Sequence, residues 1–460
     1  MLASTQLFSI LKFALPTIVI IWTLAYFTTS PSTYSEFTRK FKNEKELFVS
    51  DFLEHEIDGR FDGSSIAELC KSKTWTPGLF LSCDSPAGGV GTVKNAHLNC
   101  IRFAIEMGAE LILPGIIRRN DKNIADVSPN AKAPIRGQEI SYFFDEDHLN
   151  ASLTTFCPQL KVYRSLSDLW EIPSLLTATN FNLADLGLKL ANTSVIEEPS
   201  LVASQIRQFV NTKSPPAERK HPVRFNMRQT NWAWPTESDG AAFARHFGRI
   251  LRIRTDARRL AASALFNLHK RFGDLRIDPR QGIGGGGDDS SSFVGVHLRT
   301  EVDVLSQTTD DAKKFPGYEE QAAYYLDYAE RSGNGVVYLA TGATAANITA
   351  FVERARDFNI TAVVKKDILT DAEDKSLLDG FSYDQRSLVD YEVMLRAGLM
   401  TGTSESPFAW NLAMRRRNAY GGSESAVESH GGDFVQFQDR YSTIFGKGDG
   451  GRVLQATIWP

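Results

Sequence analysis

The sequence predicts an α/β protein with two Rossmann-like domains that face each other across a cleft. Two observations lead to this prediction: a βαβ pattern at residues 78–114, and a longer alternation of apolar strands and helices from residue 291 to residue 417. Strands that alternate with helices form parallel sheets with right-handed crossovers. A chain of 460 residues is also too long for one ordinary core, which favours two domains.

The composition excludes one broad class of function. The chain is 42% hydrophobic and 23% charged, with a net charge of −4. A general nucleic-acid-binding protein carries a strong basic excess, which this chain lacks, so we expect no nucleic-acid partner. Any basic site must be local.

The N-terminal segment has the character of a membrane anchor. Residues 7–27 read LFSILKFALPTIVIIWTLAYF, and a membrane-spanning helix needs about 20 apolar residues. No A-x-A-type cleavage site follows, which favours an uncleaved signal-anchor. The shorter apolar run at residues 13–27 leaves a removable signal peptide as the alternative. The polar residues 28–48 that follow read as a stem.

Cysteines and glycosylation sequons favour the secretory pathway. An even number of cysteines permits two disulfides, with buried free thiols as the alternative, above all for Cys100 in a predicted helix. Asn-x-Ser/Thr sequons accept N-glycans in that pathway. We therefore expect a single-pass type II protein of the endoplasmic reticulum or Golgi membrane with a lumenal body. The cysteines are Cys70, Cys83, Cys100 and Cys157, and the sequons begin at Asn150, Asn192, Asn347 and Asn359.

The first βαβ unit reads as a strand, a glycine-rich turn, a helix and a second strand. Its helix is indicated by apolar residues spaced three and four apart, and Gly108 stands where a helix is expected to stop. The apolar positions are Leu98, Ile101, Ala104 and Ile105.

Residues 115–290 are harder to assign to elements. They contain a Trp-rich stretch, NWAWP at residues 231–235, and a pattern that predicts one helix over residues 238–272. The stretch QGIGGGGDDSSS at residues 281–292 reads as a flexible surface connection.

The second half predicts a doubly wound parallel sheet, because four apolar strands alternate with helices. Two such sheets in one chain leave a cleft between domains, where ligands commonly bind. The strands are FVGVHLR, GVVYLATG, ITAVVKK and LMTGTS, and the helices are YEEQAAYYLDYAERSG, TAANITAFVERARDF, QRSLVDYEVMLRAG and SPFAWNLAMRRR.

Polar residues at the ends of these strands predict a binding site. Ligands of open α/β sheets lie beyond the carboxyl ends of the strands, where Arg299 ends the first strand. A guanidinium suits phosphate because its planar fork donates several hydrogen bonds and keeps its charge. His297 lies on the same face of the strand as Arg299. The alternative for an isolated arginine here is a surface ion pair.

A second strand end points to the same chemistry. The stretch TGTSESPF turns from a strand into a helix through Thr403, Ser404 and Ser406. Free N–H groups at a helix start, with hydroxyls beside them, bind anions. The alternative is that Ser404 or Ser406 only caps the helix. Thr341 and Gly342 end another strand in a comparable position.

The combination of these motifs resembles the GDP-fucose O-fucosyltransferase superfamily, which includes protein O-fucosyltransferases and their plant and fungal relatives. The resemblance covers roughly residues 78–145 and 224–417. Its most specific part is the H-x-R segment followed by an acidic residue, and next the D-Y-x-V … S-x-F order. The matching stretches are AGGVGTVKNAHLNCIRFAIEMGAELILP, YFFDEDHLN, GVHLRTEVD, VVYLATG and SLVDYEVMLRAGLMTGTSESPFAWNLAMRRR.

The resemblance implies a two-Rossmann glycosyltransferase of the GT-B type. It would transfer fucose from GDP-fucose to a hydroxyl of a protein or glycan acceptor, with inversion and without a metal or other cofactor. We expect a cytoplasmic tail and anchor over residues 1–30 and a stem over residues 31–76. An acceptor-side domain over residues 77–290 and a donor-side domain over residues 291–460 would follow.

The resemblance also implies roles for individual residues. Arg299 would hold the diphosphate, and His297 would lie beside it in the donor site. Asp390 would help to hold the nucleoside. The remaining expected contacts of the donor are Ser404, Ser406, Phe408, Gly89 and Gly91.

An inverting transfer also needs a base for the acceptor hydroxyl. Glu301 and Asp303 are the carboxylates nearest to the H-x-R segment, and Asp84 precedes the glycine loop of the other domain. We consider these three as candidates. The alternative for Glu301 is an ion pair with Arg299.

One departure from the family pattern affects the expected activity. Aligned without gaps, the family's Asn in the glycine loop falls on Gly91, and its following basic residue falls on Lys94. Asn95 could replace that Asn only if the loop is shifted. The alternatives are therefore another nucleotide-sugar donor, or a catalytically silent, membrane-anchored nucleotide-sugar or glycan-binding protein. A nicotinamide oxidoreductase is disfavoured, because G-x-G-x-x-G is absent.

Overall fold

The computed structural model describes residues 43–121, 124, 137–192, 194–228, 231–281, 292–301, 316–420, 434–446 and 450–460. The chain divides into two compact units, Met1–Asp51 and Phe52–Pro460. The described residues of the first unit form most of helix α1 (Glu44–Glu54). Both large sheets lie in the second unit.

The first sheet is built around the predicted βαβ unit. Strand β1 (Leu79–Cys83) leads through the glycine turn to α3 (Val90–Met107) and then to β2 (Glu110–Ile112). The helix ends as predicted, because Gly108 adopts a left-handed conformation with φ of 65°. The other strands are β3 (Val162–Tyr163), β4 (Thr179–Phe181) and β7 (Val223–Met227), and the order is β3-β2-β1-β7-β4 with parallel neighbours.

The second sheet confirms the parallel α/β prediction for the C-terminal half. Its strands are β8 (Val294–Leu298), β9 (Val336–Thr341), β10 (Thr361–Val363), β11 (Leu399–Thr403), β12 (Val435–Gln438) and β13 (Ser442–Phe445). Their order is β10-β9-β8-β11-β13-β12, and the edge strand β12 pairs antiparallel with β13. Strand β8 lies in the centre and all five of its residues are buried, as its apolar sequence predicts.

Helices cover these sheets. In the first half they are α2 (Ser64–Ser72), α4 (Glu146–Phe156), α5 (Val202–Lys213), α6 (Ala241–Phe247) and α7 (Thr255–Arg271), and a small antiparallel pair joins β5 (Leu190–Ala191) to β6 (Val195–Ile196). In the second half they are α8 (Tyr318–Arg331), α9 (Ala345–Asp357), α10 (Lys365–Ile368), α11 (Ala372–Gly380), α12 (Tyr383–Met394), α13 (Pro407–Tyr420) and α14 (Gly450–Thr457).

The prediction of one helix over residues 238–272 was wrong. The structure has α6 and α7, separated by a 3-10 turn and by residues 251–254. Tertiary contacts interrupt the helical pattern there: Asp145 N–H donates to the Arg252 carbonyl, and Ile253 forms a β-bridge with Phe144. A pattern of apolar residues does not show such a long-range contact.

The four cysteines form two disulfides. Cys70 is bonded to Cys157, and Cys83 is bonded to Cys100. The second bond links the end of β1 to α3, next to the glycine turn. The alternative of buried free thiols is therefore wrong.

The predicted anchor at residues 7–27 lies outside the described residues. Among the helices that the structure does describe, none is long and apolar enough to cross a membrane. The expected junction at residues 290 and 291 also falls in an undescribed stretch, and the expected domain ranges remain predictions.

Of the four sequons, Asn150, Asn192 and Asn359 are exposed. Asn347 is half-buried in the first turn of α9, where its Nδ2 donates to Thr300 Oγ1 at 3.4 Å. That hydrogen bond makes Asn347 the least favourable of the four positions for a glycan.

Candidate active site

A cavity of about 770 Å³ lies where the carboxyl ends of the second sheet meet the glycine turn of the first. It is within the size range of small-molecule sites. Both halves of the chain contribute, as expected for a ligand held between two sheets. The lining residues from the first half are Gly88 to Thr92, Arg119 and Trp232. Those from the second half include His297, Arg299, Glu301, Thr341, Gly342, Lys365, Tyr383, Asp390, Glu405, Ser406, Phe408, Val453 and Leu454.

Arg299 lies in this cavity directly after β8, as predicted. Its Nη1 donates to Glu301 Oε2 at 2.5 Å, and its backbone N–H donates to Gln321 Oε1 at 2.9 Å. The side chain is 18% exposed, so the guanidinium is held in place while it still borders the cavity. The predicted alternative role of Glu301, an ion pair with Arg299, is therefore present.

Glu301 has further donors around it. The Gly342 N–H and the Tyr383 hydroxyl both donate to its Oε1, at 2.9 Å and 3.2 Å. Burial alone would raise the pKa of Glu301, but the Arg299 charge, the hydrogen bond from Arg299 and the hydrogen bond from the Gly342 N–H outweigh burial and lower it. Glu301 is thus an ionised carboxylate whose two oxygens already accept hydrogen bonds. This arrangement suits a residue that positions Arg299 rather than a general base.

His297 is a buried residue that lines the cavity next to Arg299. Its Nδ1 lies 3.3 Å from Ser406 Oγ, and its ring centroid lies 4.5 Å from that of Phe408. Burial lowers the pKa of His297 to about 4, opposed by Glu301 and assisted by Arg299. The imidazole is therefore neutral at physiological pH and does not add to the positive charge of Arg299.

Two helix N-termini meet at the cavity. Gly89 precedes α3 without a side-chain cap, so the first N–H groups of that helix are open to a ligand. Gly91 packs against the start of α13 so closely that a Cβ there would lie 2.5 Å from the carbonyl oxygen of Pro407. Helix N-termini carry partial positive charge. Together with Arg299 they form a site for a di-anionic or more highly charged group.

The family's Asn has no room at Gly91, because the backbone of Pro407 and Phe408 occupies the space. Asn95 does not replace it in the cavity: it is buried, and its side chain bonds to the backbone of Asn231, Thr457 and Trp459. Lys94 is also buried and donates to the Pro460 carbonyl at 2.8 Å. The absence of a side chain at Gly91 allows the starts of α3 and α13 to contact each other directly.

Asp390 also lines the cavity, as predicted, and it is paired. Lys365 Nζ lies 2.5 Å from its Oδ2, and the Tyr338 hydroxyl donates to its Oδ1 at 2.8 Å. Burial raises the pKa of Asp390, and the Lys365 charge opposes this. The pair gives this end of the cavity both donors and acceptors of hydrogen bonds, which the edge of a nucleobase requires.

Two predicted residues are not brought into the cavity. Asp84 is exposed at the end of β1, where its Oδ1 accepts from Asn226 Nδ2 at 2.8 Å. Ser404 is buried behind the cavity, and its N–H donates to Phe445 O as a continuation of the sheet. Asp303 lies outside the described residues.

Several lining residues were missed from the sequence. Arg119, after β2, reaches across to α12, and its Nε donates to Asp384 Oδ1 at 2.9 Å. Tyr383, Lys365 and Trp232 were missed as well. No local pattern marks these residues, although Lys365 lies near the carboxyl end of the predicted strand ITAVVKK and could have been found from that position.

In the residue ranges that the structure describes, no cluster of three or more His, Cys, Asp or Glu side chains could hold a metal ion. Positive charge at the cavity is carried by Arg299 and by the start of α3, and Lys365, Lys366 and Arg386 also line it.

Comparison with known proteins supports the same chemistry. The family model described as GDP-fucose protein O-fucosyltransferase matches residues 80–419. No curated protein sequence matches this chain.

Several solved structures are similar in fold. POFUT1 in complex with GDP-fucose has a TM-score of 0.44 and 14% identity, covering 81% of this chain and 100% of that one. A mutant of Arabidopsis thaliana FUT1 in complex with GDP has a TM-score of 0.37 and 8% identity, covering 82% and 78%. The fucosyltransferase NodZ from Bradyrhizobium has a TM-score of 0.34 and 12% identity, covering 75% and 93%.

Proposed function

The chain belongs to the GDP-fucose protein O-fucosyltransferase family and is a glycosyltransferase, and from this premise we propose that it transfers fucose from GDP-fucose to a hydroxyl of a protein or glycan acceptor. The transfer inverts the anomeric centre and needs no metal. The site has the GT-B arrangement, with the donor held at the strand ends of the second sheet and the acceptor approaching from the first.

One observation supports this proposal above the others. Arg299, held by Glu301, shares a cavity with the N-terminus of α3, which has no side-chain cap, and with the start of α13, where the Ala409 N–H donates to Ser406 Oγ at 3.4 Å. Breaking the sugar–phosphate bond leaves added negative charge on GDP, and preorganised donors of this kind stabilise it in the transition state. They act without Mg²⁺, because the guanidinium and the helix N–H groups supply the positive charge.

The decisive experiment measures binding and hydrolysis of a panel of nucleotide sugars with the full chain in detergent. We expect GDP-fucose to bind and to be turned over, and UDP- and CMP-sugars to do neither. Binding of a different nucleotide sugar in preference to GDP-fucose would contradict the donor. Binding of GDP-fucose with no turnover in the presence of protein and glycan acceptor mixtures would instead favour a silent binding protein.

We propose that the protein is anchored by residues 7–27 in the endoplasmic reticulum or Golgi membrane, with its body in the lumen. The hydrophobic length of that segment, the exposed sequons Asn150, Asn192 and Asn359 and the two disulfides support this. Endoglycosidase treatment should increase the electrophoretic mobility of the expressed protein, and carbonate should leave it in the membrane fraction. An unglycosylated, carbonate-extractable protein would contradict both statements.

A further inference from the structure

One end of the cavity is apolar and takes no part in the contacts considered so far. Trp232, Val453 and Leu454 line it. Trp232 and Val453 are half-buried, and Leu454 is buried. Trp232 comes from the loop after β7 in the first half of the chain, and the other two come from the middle of α14.

Asn95 brings these two segments together. Its Nδ2 donates to the carbonyl of Asn231, the residue before Trp232, and to the carbonyl of Thr457 at the end of α14, the latter at 3.0 Å. Its Oδ1 accepts from the Trp459 N–H at 2.8 Å. Because the buried Asn95 side chain holds both segments against α3, the apolar end has a fixed position in the cavity.

The strand order locates this end relative to Arg299. Arg299 follows β8, Lys365 follows β10, and α14 follows β13. In the order β10-β9-β8-β11-β13, β10 and β13 lie on opposite sides of β8, each two strands away. Neighbouring strands are about 4.8 Å apart, so the ends of β10 and β13 each lie about 10 Å from the end of β8, on opposite sides of it.

A nucleotide sugar with its diphosphate at Arg299 has its nucleoside on one side and its sugar on the other. The hydrogen-bonding edge of a base matches Asp390 and Lys365 at the β10 end, so the sugar falls at the apolar end. On the basis of the proposed GDP-fucose donor, we propose that Trp232, Val453 and Leu454 bind the C6 methyl group of a 6-deoxyhexose and select against a sugar with a hydroxyl at C6.

The selection follows from hydrogen bonding. Val453 and Leu454 have hydrocarbon side chains, so a methyl group gains by burial against them. A hydroxyl packed against these two hydrocarbon side chains loses its water partners without replacement there. A hydrophobic pocket rejects an added hydroxyl by about 100-fold at most, and we expect a preference of about 10- to 100-fold.

The test compares GDP-L-fucose with GDP-L-galactose, which differs from it only by a hydroxyl at C6. Dissociation constants are measured for both and for GDP, using the full chain in detergent. Wild type should prefer GDP-L-fucose by about 10- to 100-fold. Val453→Thr, which keeps the side-chain shape, and Leu454→Asn should each reduce the preference several-fold and leave the affinity for GDP unchanged. Val352→Thr, at a half-buried valine of α9 outside the cavity lining, is the matched control.

An unchanged preference in both variants, with GDP-L-fucose still bound, would overturn this inference and leave the proposed donor intact. Loss of GDP affinity in Val453→Thr would also overturn it, because these residues would then hold the nucleotide. Failure of the wild type to bind GDP-L-fucose would instead contradict the proposed function itself.

Discussion

Arg299 and Glu301 form an ion pair at the end of the central strand of the second sheet, with Nη1 and Oε2 2.5 Å apart. The carboxylate is 6% exposed and the guanidinium 18% exposed. Glu301 is also bonded to the start of α12 through Tyr383, and Arg119 of the first half pairs with the neighbouring Asp384. Arg299, the proposed phosphate ligand, is thus connected, through one carboxylate and one helix, to a residue from the other half of the chain.

Arg299→Ala should weaken GDP binding by about 10- to 150-fold and abolish donor turnover. A hydrogen bond to a charged group contributes about 1.5–3 kcal/mol, which gives this range. Isothermal titration with GDP measures the effect. Arg331→Ala on α8, which removes an exposed arginine paired with Asp327, is the control. Wild-type GDP affinity in Arg299→Ala would contradict the assignment.

Glu301→Gln should reduce donor turnover by about 10-fold or more and reduce GDP affinity less than Arg299→Ala does. The amide keeps the shape but loses the charge that positions the guanidinium. Tyr383→Phe, which removes one hydrogen bond to Glu301, should reduce donor turnover by about fivefold. The two effects should be less than additive in the double variant, because both act on the same carboxylate. Full turnover in Glu301→Gln would show that Arg299 needs no such partner.

Gly91→Ala should lower the free energy of unfolding by about 1–3 kcal/mol, since the added Cβ overlaps the Pro407 backbone at 2.5 Å. Gly89→Ala is the matched control in the same turn, because a Cβ at that position would have Arg119 Nη2 as its nearest neighbour, 3.7 Å away. Urea unfolding with the disulfides intact compares the two. Equal stability of both variants would show that the two helix starts are not in contact.

The free energy of unfolding should rise with pH between about pH 4 and pH 6.5 through His297. Burial lowers its folded pKa to about 4 from 6.5, so in that window the unfolded chain binds more protons than the folded one. Because the histidine of the unfolded chain is protonated first, the free energy of unfolding falls as the pH falls towards 4, by about 3 kcal/mol in full. His297→Gln should flatten this part of the urea-unfolding profile, whereas His221→Gln at an exposed histidine should not. Parallel profiles for wild type and His297→Gln would contradict the assignment.

Donor turnover should survive EDTA and rise at most modestly with Mn²⁺. A divalent cation beside the diphosphate would need carboxylate ligands, and Glu301 is already bonded to Arg299, Gly342 and Tyr383. Complete loss of turnover in EDTA, restored by a divalent cation, would contradict the metal-free reaction.

The sequence by itself determined four strands of the second sheet (β8 to β11), four helices of that half (α8, α9, α12 and α13) and the place of Arg299, but it did not predict β12, β13, α10, α11 or α14. Strand and helix periodicities are local, and so is the rule that ligands bind at the carboxyl ends of parallel strands. The stop at Gly108 was predictable for the same reason, because a helix C-cap depends on the conformation of one residue. The αβ alternation and the turn from β11 into α13 follow from neighbours in the chain, whereas the pairing of the four cysteines does not.

The tertiary structure alone decided which residues share the cavity. Arg119 meets Asp384 across 265 positions, and Asn95 meets Thr457 across 362. Pairs so distant in sequence leave no periodic or spacing signal in a single chain, so the contacts of Trp232 and Leu454 with the cavity were invisible. Asp84 ends a strand as Arg299 does, yet a hydrogen bond from Asn226 holds it outside the cavity. Being at a strand end is a local property, whereas facing the ligand depends on how the two sheets pack.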